Sequence, residues 1–227
     1  MEFAKKGRVE LRTEEWLQKP SYFSVTYSQL HTALFGNQAQ NIYKQWTNNY
    51  AKKADHTYGF SGLTSEYFST LINNVNLSIP LHFIVEVGSF MGKSTTTMAQ
   101  LLKMDKKYEN CTRWPSNCLQ QFVANIVDMK LTEMILPFST TSILGARFLQ
   151  QHKFFPQLIY LDSAHLPGET LVELELYWQL LQPGGILFGD DWGWDSVRCD
   201  VLRFIDTNRL KIAVKQNSWS IQKPILG

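Results

Sequence analysis

No apolar run in the 227-residue sequence approaches the roughly 20 residues a membrane-spanning helix needs. A membrane role is therefore not expected. Cysteine is scarce, and Cys111, Cys118 and Cys199 form an odd set with no Cys-x-x-Cys spacing. That favours a reducing, cytoplasmic setting, with a Cys111–Cys118 bridge left open. An excess of one charge is also missing. Twenty-two Lys and Arg stand against 20 Asp and Glu, a net charge of +2, so no phosphate-tracking surface is implied and a nucleic-acid partner is not expected. Met1-Glu-Phe-Ala-Lys-Lys is not followed by the apolar stretch of a signal peptide. Internal repeats and low-complexity tracts are absent as well. What remains is 44% hydrophobic and 19% charged, which fits one well-buried globular domain with an appendage.

The informative stretch runs from Pro156 to Trp194. Leu158 to Leu161 is an apolar run of strand length, Asp162 stands where the strand would end, and His165 follows on a loop. A helix opens at Gly168-Glu169-Thr170 and stops at Pro183-Gly184-Gly185. Ile186 to Phe188 is a second buried strand, ending in Gly189, Asp190, Asp191 and Trp192. An isolated Asp-Asp pair after a strand is most simply a solvated turn. Here Asp162 ends the neighbouring strand, so three carboxylates share one rim of a sheet, where α/β proteins bind ligands. Carboxylates so close raise one another's pKa unless a cation sits between them, and hard oxygen donors favour Mg²⁺, Mn²⁺ or Ca²⁺.

The rest of the chain alternates strand and helix. Residues 1 to 60 read as an N-terminal helical extension, with Glu14-Glu-Trp-Leu and an amphipathic run from Gln38 to Tyr50. Tyr58 to Gly62 is a turn-rich joint, either a plain linker or a mobile cover. The main domain takes residues 61 to 227. Thr64 caps a helix to about Asn74, His82 to Gly88 is a buried strand, Ser89 to Ser94 a tight turn and Thr95 to Met104 a helix. The turn has the spacing Glu86-x-Gly88-x-x-x-Gly92, which is neither Gly-x-Gly-x-x-Gly nor a Walker A loop. Further on, a helix runs from Ser116 or Asn117 to Met129, a strand over Met134–Phe138 and a helix from Ser139 to about Gln151. Asp195 to Asn208 is helical, and a hairpin over Lys211–Lys215 and Ser218–Gln222 closes the chain. The order predicts an α/β fold with a doubly wound, mostly parallel sheet. One strand is missing from the pattern, because Asp105 to Asn117 is polar throughout. The sheet is then one strand short, or the chain omits a segment.

Glu86-Val-Gly88-Ser-Phe-Met-Gly92-Lys-Ser94, Tyr160-Leu-Asp162 and Leu181-Gln-Pro-Gly-Gly-Ile-Leu-Phe-Gly-Asp190-Asp191 together resemble class I S-adenosylmethionine-dependent methyltransferases. The acidic positions narrow the resemblance to metal-dependent O-methyltransferases, in the group of macrolide-sugar O-methyltransferases and the protein called cephalosporin hydroxylase. It covers about residues 60 to 222 and implies a Rossmann-like methyltransferase fold ending in an antiparallel hairpin. It also implies an enzyme moving a methyl group from S-adenosylmethionine to a hydroxyl of a small molecule of diol, catechol or sugar type, with Mg²⁺ or another hard divalent cation. Position by position, Glu86, Gly88 and Gly92 fall on the turn under the cofactor, lined by Ser89, Phe90 and Ser94, and Ser139 and Thr140 fall beside the adenine. Asp162, Asp190 and Asp191 fall on the metal ligands, and His165 on the general base. The acid that holds the ribose belongs at the end of the missing strand, where Asp105 is the nearest candidate.

On that resemblance a divalent ion holds a diol and lowers the pKa of one hydroxyl, while His165 removes the proton. A hydrogen-bonded loop histidine is the plainer reading of His165. Trp192, Trp194 and Tyr58 would wall the acceptor, or else pack the rim. His82 and His152 read as structural, and Lys93 as a solvated helix start. Two other readings stand beside this one: the same fold with a nitrogen or nucleic-acid acceptor, against which the chain lacks Asn-Pro-Pro-Tyr and carries an acidic rim, and a non-catalytic binding protein. The aromatic extension would suit contact with a second copy in a homo-oligomer.

Overall fold

A computed structural model describes residues 22–37, 42–45, 54–57, 63–74, 80–104, 111–113, 119–163 and 165–225 of the chain. Its elements are α1 (Tyr27–Phe35), a 3₁₀ turn (Ile42–Gln45), α2 (Ser65–Asn74), β1 (Ile84–Val87), α3 (Lys93–Met104), β2 (Cys111–Arg113), α4 (Leu119–Asp128) and β3 (Ile135–Pro137). There follow α5 (Ser142–Gln151), β4 (Leu158–Leu161), α6 (Glu169–Leu180), β5 (Ile186–Gly189), α7 (Asp195–Asn208), β6 (Ile212–Lys215) and β7 (Ser218–Gln222). The seven strands form one sheet in the order β3-β2-β1-β4-β5-β7-β6. The first five are mutually parallel, whereas β7 runs antiparallel to β5 and β6 antiparallel to β7. The doubly wound sheet with its closing hairpin is therefore as the sequence predicts. Its switch point lies between β1 and β4, where the connections leave in opposite directions.

Strand alternation divides the core in two. Val85, Val87, Ile159, Leu161 and Leu187 face α1, α5, α6 and α7, where Leu30, Leu149, Tyr177 and Val201 meet them. Ile84, Leu158, Tyr160, Ile186 and Phe188 face α2, α3 and α4, where Phe68, Met98 and Phe122 meet them.

The missing strand is present. Cys111–Arg113 pairs with β1 on one side and β3 on the other, so the sheet is not one strand short. Its three residues are too few and too polar to show as a buried run, and the backbone ladders of its two neighbours specify it instead. Asp105 and the Tyr58–Gly62 joint lie outside the described residues.

Local capping sets several helix starts. The Thr64 hydroxyl accepts from the Tyr67 amide at 3.1 Å, as predicted. The described part of the extension holds its helix at α1, where Thr26 and Gln29 form a capping box. The sequence reading looked instead to Gln38–Tyr50, of which only the 3₁₀ turn at Ile42–Gln45 is described. The extension packs onto the main core: Leu30 enters one half and Tyr43 the other, its hydroxyl donating to the Ile135 carbonyl at 2.7 Å.

At the switch point the chain ends of β1 and β4 nearly touch. Asp162 N–H donates to the Val87 carbonyl at 2.8 Å, and Gly88 follows with φ of 87°. A Cβ on Gly88 would lie 2.0 Å from the Asp162 carbonyl oxygen, so backbone conformation and space both demand glycine. Gly88→Ala is expected to cost roughly 2–4 kcal/mol of stability, read as a lowered urea midpoint with an unchanged m-value.

Candidate active site

Three loops meet at the carboxyl ends of β1, β4 and β5. The first, after β1, is the turn Gly88 to Gly92. Glu86 is fully buried below it and accepts hydrogen bonds from the Ser94 hydroxyl and, at 2.9 Å, from the Thr95 hydroxyl. Strand and helix start are thus stapled together. Phe90 takes φ of 42° and is 47% exposed, an unusual backbone for a bulky residue. Asn125, buried on α4, donates to the Met91 carbonyl at 2.8 Å and accepts from the Asp55 amide at 2.9 Å, so the turn and the extension share one anchor. Lys93 opens α3 from an exposed position.

The second loop carries Asp162, Ser163 and His165. Its far end is pinned from α7. Gly168 starts α6 in the left-handed region with no side-chain cap of its own, and Asp200 accepts instead from the Gly168 amide at 2.8 Å and the Leu171 amide at 3.2 Å. The Ser196 hydroxyl donates to the His165 carbonyl at 2.5 Å.

The third loop, Asp190 to Trp194, rests on the hairpin. Trp219 is fully buried and donates from Nε1 to the Asp190 carbonyl at 3.0 Å. Its ring lies under Gly189, where an added Cβ would come within 2.4 Å of it. Asn217 holds the loop through the Trp192 amide, the Gly193 amide and the Asp190 carboxylate.

These loops bring Asp162, His165 and Asp191 together. Each offers a ligand atom, and the atoms all lie within 4.8 Å of one another. His165 Nε2 and Asp191 Oδ2 are 2.5 Å apart. Asp190 lines the same recess, but its Oδ1 accepts from Asn217 Nδ2 at 3.2 Å. Of the predicted ligands, Asp162 and Asp191 stand together with the imidazole of His165 as their third neighbour. Trp194 is 55% exposed with its ring 4.8 Å from that of His165, and Trp192 is half-buried nearby. Ser139 and Thr140 occupy the loop between β3 and α5, short of Thr141, whose side chain caps that helix. Among the other histidines, His82 is buried with Nδ1 against the Pro80 carbonyl, and His152 packs between Phe148 and Phe154.

Glu173 also lines the recess, and the sequence reading missed it. It lies on the buried face of α6 with Thr170, Leu174 and Tyr177. A lone acid on an otherwise buried helix stripe was the available signal.

Burial, then the charges of Glu86, Asp190 and Asp191, push the Asp162 carboxyl from its ordinary 3.8 up to about 8. Burial likewise raises Glu173. A hard divalent cation fits this donor set, since it would neutralise the charges that hold Asp162 protonated.

Residues 85–192 match the family model described as a methyltransferase domain. No curated protein matches the sequence. Solved structures do. An O-methyltransferase from Bacillus cereus, in complex with S-adenosylhomocysteine, superposes with TM-score 0.59 at 14% identity over 86% of this chain and 96% of its own. The calicheamicin methyltransferase CalS11 gives 0.55 at 14% over 86% and 91%. TomG from Streptomyces achromogenes, an O-methyltransferase of tomaymycin synthesis in complex with S-adenosylmethionine, gives 0.57 at 11% over 86% and 95%. A precorrin-6y C5,15-methyltransferase matches too, so at these identities the likeness shows the fold and leaves the acceptor open. The resemblance to class I methyltransferases read from the sequence is borne out, and the matched domain supports S-adenosylmethionine-dependent methylation.

The raised Asp162 has a consequence for stability. A carboxyl with a higher pKa in the folded chain stabilises it fully below pH about 4 and loses that contribution as pH rises through about 8. Metal-free protein is therefore expected to lose on the order of a few kcal/mol between pH 5 and pH 9. Asp162→Asn should flatten this dependence in thermal melts.

Proposed function

We propose that this chain, with a methyltransferase domain over residues 85–192, is a divalent-metal-dependent O-methyltransferase of small hydroxyl compounds. The convergence of Asp162, His165 and Asp191 within 4.8 Å, one loop away from the Gly88–Gly92 turn, supports the reading. S-adenosylmethionine supplies an electrophilic methyl group, and the acceptor oxygen must be held in line with its sulfur. A hard cation held by Asp162 and Asp191, with Asp190 beside them, would orient a vicinal diol and acidify one hydroxyl.

The remaining work falls to this chain's own residues. His165 takes the acceptor proton, since its imidazole lines the recess beside Asp191. Asp191 fixes the ring's direction from one side and Trp194 covers it from another. The Gly88–Gly92 turn and the Ser139–Thr140 loop would hold the cofactor, while Glu86 keeps the turn attached to α3 through Ser94 and Thr95. Trp194 and Trp192 offer the acceptor an apolar wall. Lys and Arg are absent from the described lining of the recess, which suits a neutral acceptor better than an anionic one.

Methyl transfer to a panel of catechols and neutral sugars should appear with Mg²⁺ and vanish with chelator. His165→Ala should lower kcat by about 10²- to 10⁴-fold while S-adenosylhomocysteine binding is retained. Activity indifferent to chelator would reject the metal, and an undiminished His165→Ala variant would reject the base.

A further inference from the structure

Glu173 is the buried carboxylate that neither the cofactor turn nor the proton transfer uses. It is 5% exposed and projects from α6 into the recess that Asp162, His165, Asp190 and Asp191 line. Its two oxygens accept from the Ser163 hydroxyl at 2.8 and 2.7 Å. Ser163 follows Asp162 directly, in the loop that carries His165.

The carboxylate therefore grips the loop after β4, which carries Asp162 and His165. An acid in the interior is costly unless its lone pairs are used. A purely packing role on this face would be met by leucine, as it is one residue later at Leu174.

We infer that Glu173 is a positioning residue that locks the β4–α6 loop into one geometry, so that cation binding depends on it. The inference deepens the metal-dependent methyltransferase reading and rests on it. Glu173 touches neither reactant. It acts through Ser163 on Asp162 and His165, as outer hydrogen-bond partners hold ligating side chains elsewhere.

The test measures two affinities in the full chain, Mn²⁺ by electron paramagnetic resonance and S-adenosylhomocysteine by calorimetry. Glu173→Ala and Ser163→Ala should each weaken Mn²⁺ binding by roughly tenfold and leave S-adenosylhomocysteine binding, which reports the intact fold, at the wild-type level. Glu173→Gln, which keeps an oxygen for Ser163, should stay within about threefold of wild type. Adding Ser163→Ala to Glu173→Ala should weaken Mn²⁺ no further. A wild-type Mn²⁺ affinity in Glu173→Ala or in Ser163→Ala, or an equal loss of both ligands in either, overturns the inference.

A readout without ligands separates this from failure of the functional reading. The His165 Nε2–H proton, bonded to Asp191, should give a slowly exchanging downfield NMR signal in wild type and Glu173→Gln. It should broaden away in Glu173→Ala and Ser163→Ala. Were the wild type to bind neither ligand, the functional reading would fall, and this signal would still decide the loop lock: unchanged in both alanine variants, it rejects it.

Discussion

Carboxylates packed at the ends of adjacent strands repel one another, and the rim of this sheet is built around that repulsion. Asp162 is half-buried beside Glu86, Asp190 and Asp191, and desolvation together with like charge pushes its pKa up to about 8. A chain selected only for stability would not gather four acids there. On the proposed reading, a cation at the rim would turn those charges from a cost into a coordination sphere.

The fold keeps these groups in place with contacts drawn from every layer. Gly88 lets the backbone of β1 pass against Asp162. Trp219 and Asn217, from the closing hairpin, hold the loop of Asp190 and Asp191 from beneath and beside. Asp200 reaches across from α7 to cap α6, fixing the end of the His165 loop. Asn125 ties the glycine turn to the segment before α2. Distant parts of the sequence thus converge on a few loop residues, as expected for a site placed on a rigid scaffold.

Much of this was legible from the residues alone. Apolar runs at Leu158–Leu161 and Ile186–Phe188 announced central parallel strands, because both faces of such strands are buried. Helix α7 and the hairpin kept the predicted bounds almost to the residue. Strand β2 was not legible, since Cys111–Arg113 is specified by backbone pairing on both sides and not by its own hydrophobicity. Helix α1 had a signal that went unread, the Thr26-x-x-Gln29 capping box. In the site, strand ends gave away Asp162, Asp190 and Asp191. The turn of Asp190 toward Asn217, and the entry of Glu173 from α6, depend on rotamers and helix phase that spacing does not encode.

The central claim is that the acidic rim is a cation site beside a cofactor turn. It is tested most directly by anomalous diffraction at the manganese edge, from crystals grown with Mn²⁺ and S-adenosylhomocysteine. The account predicts a single strong peak within coordination distance of Asp162 and Asp191, with the cofactor over the Gly88–Gly92 turn. Cofactor bound there with no peak at the rim would contradict it.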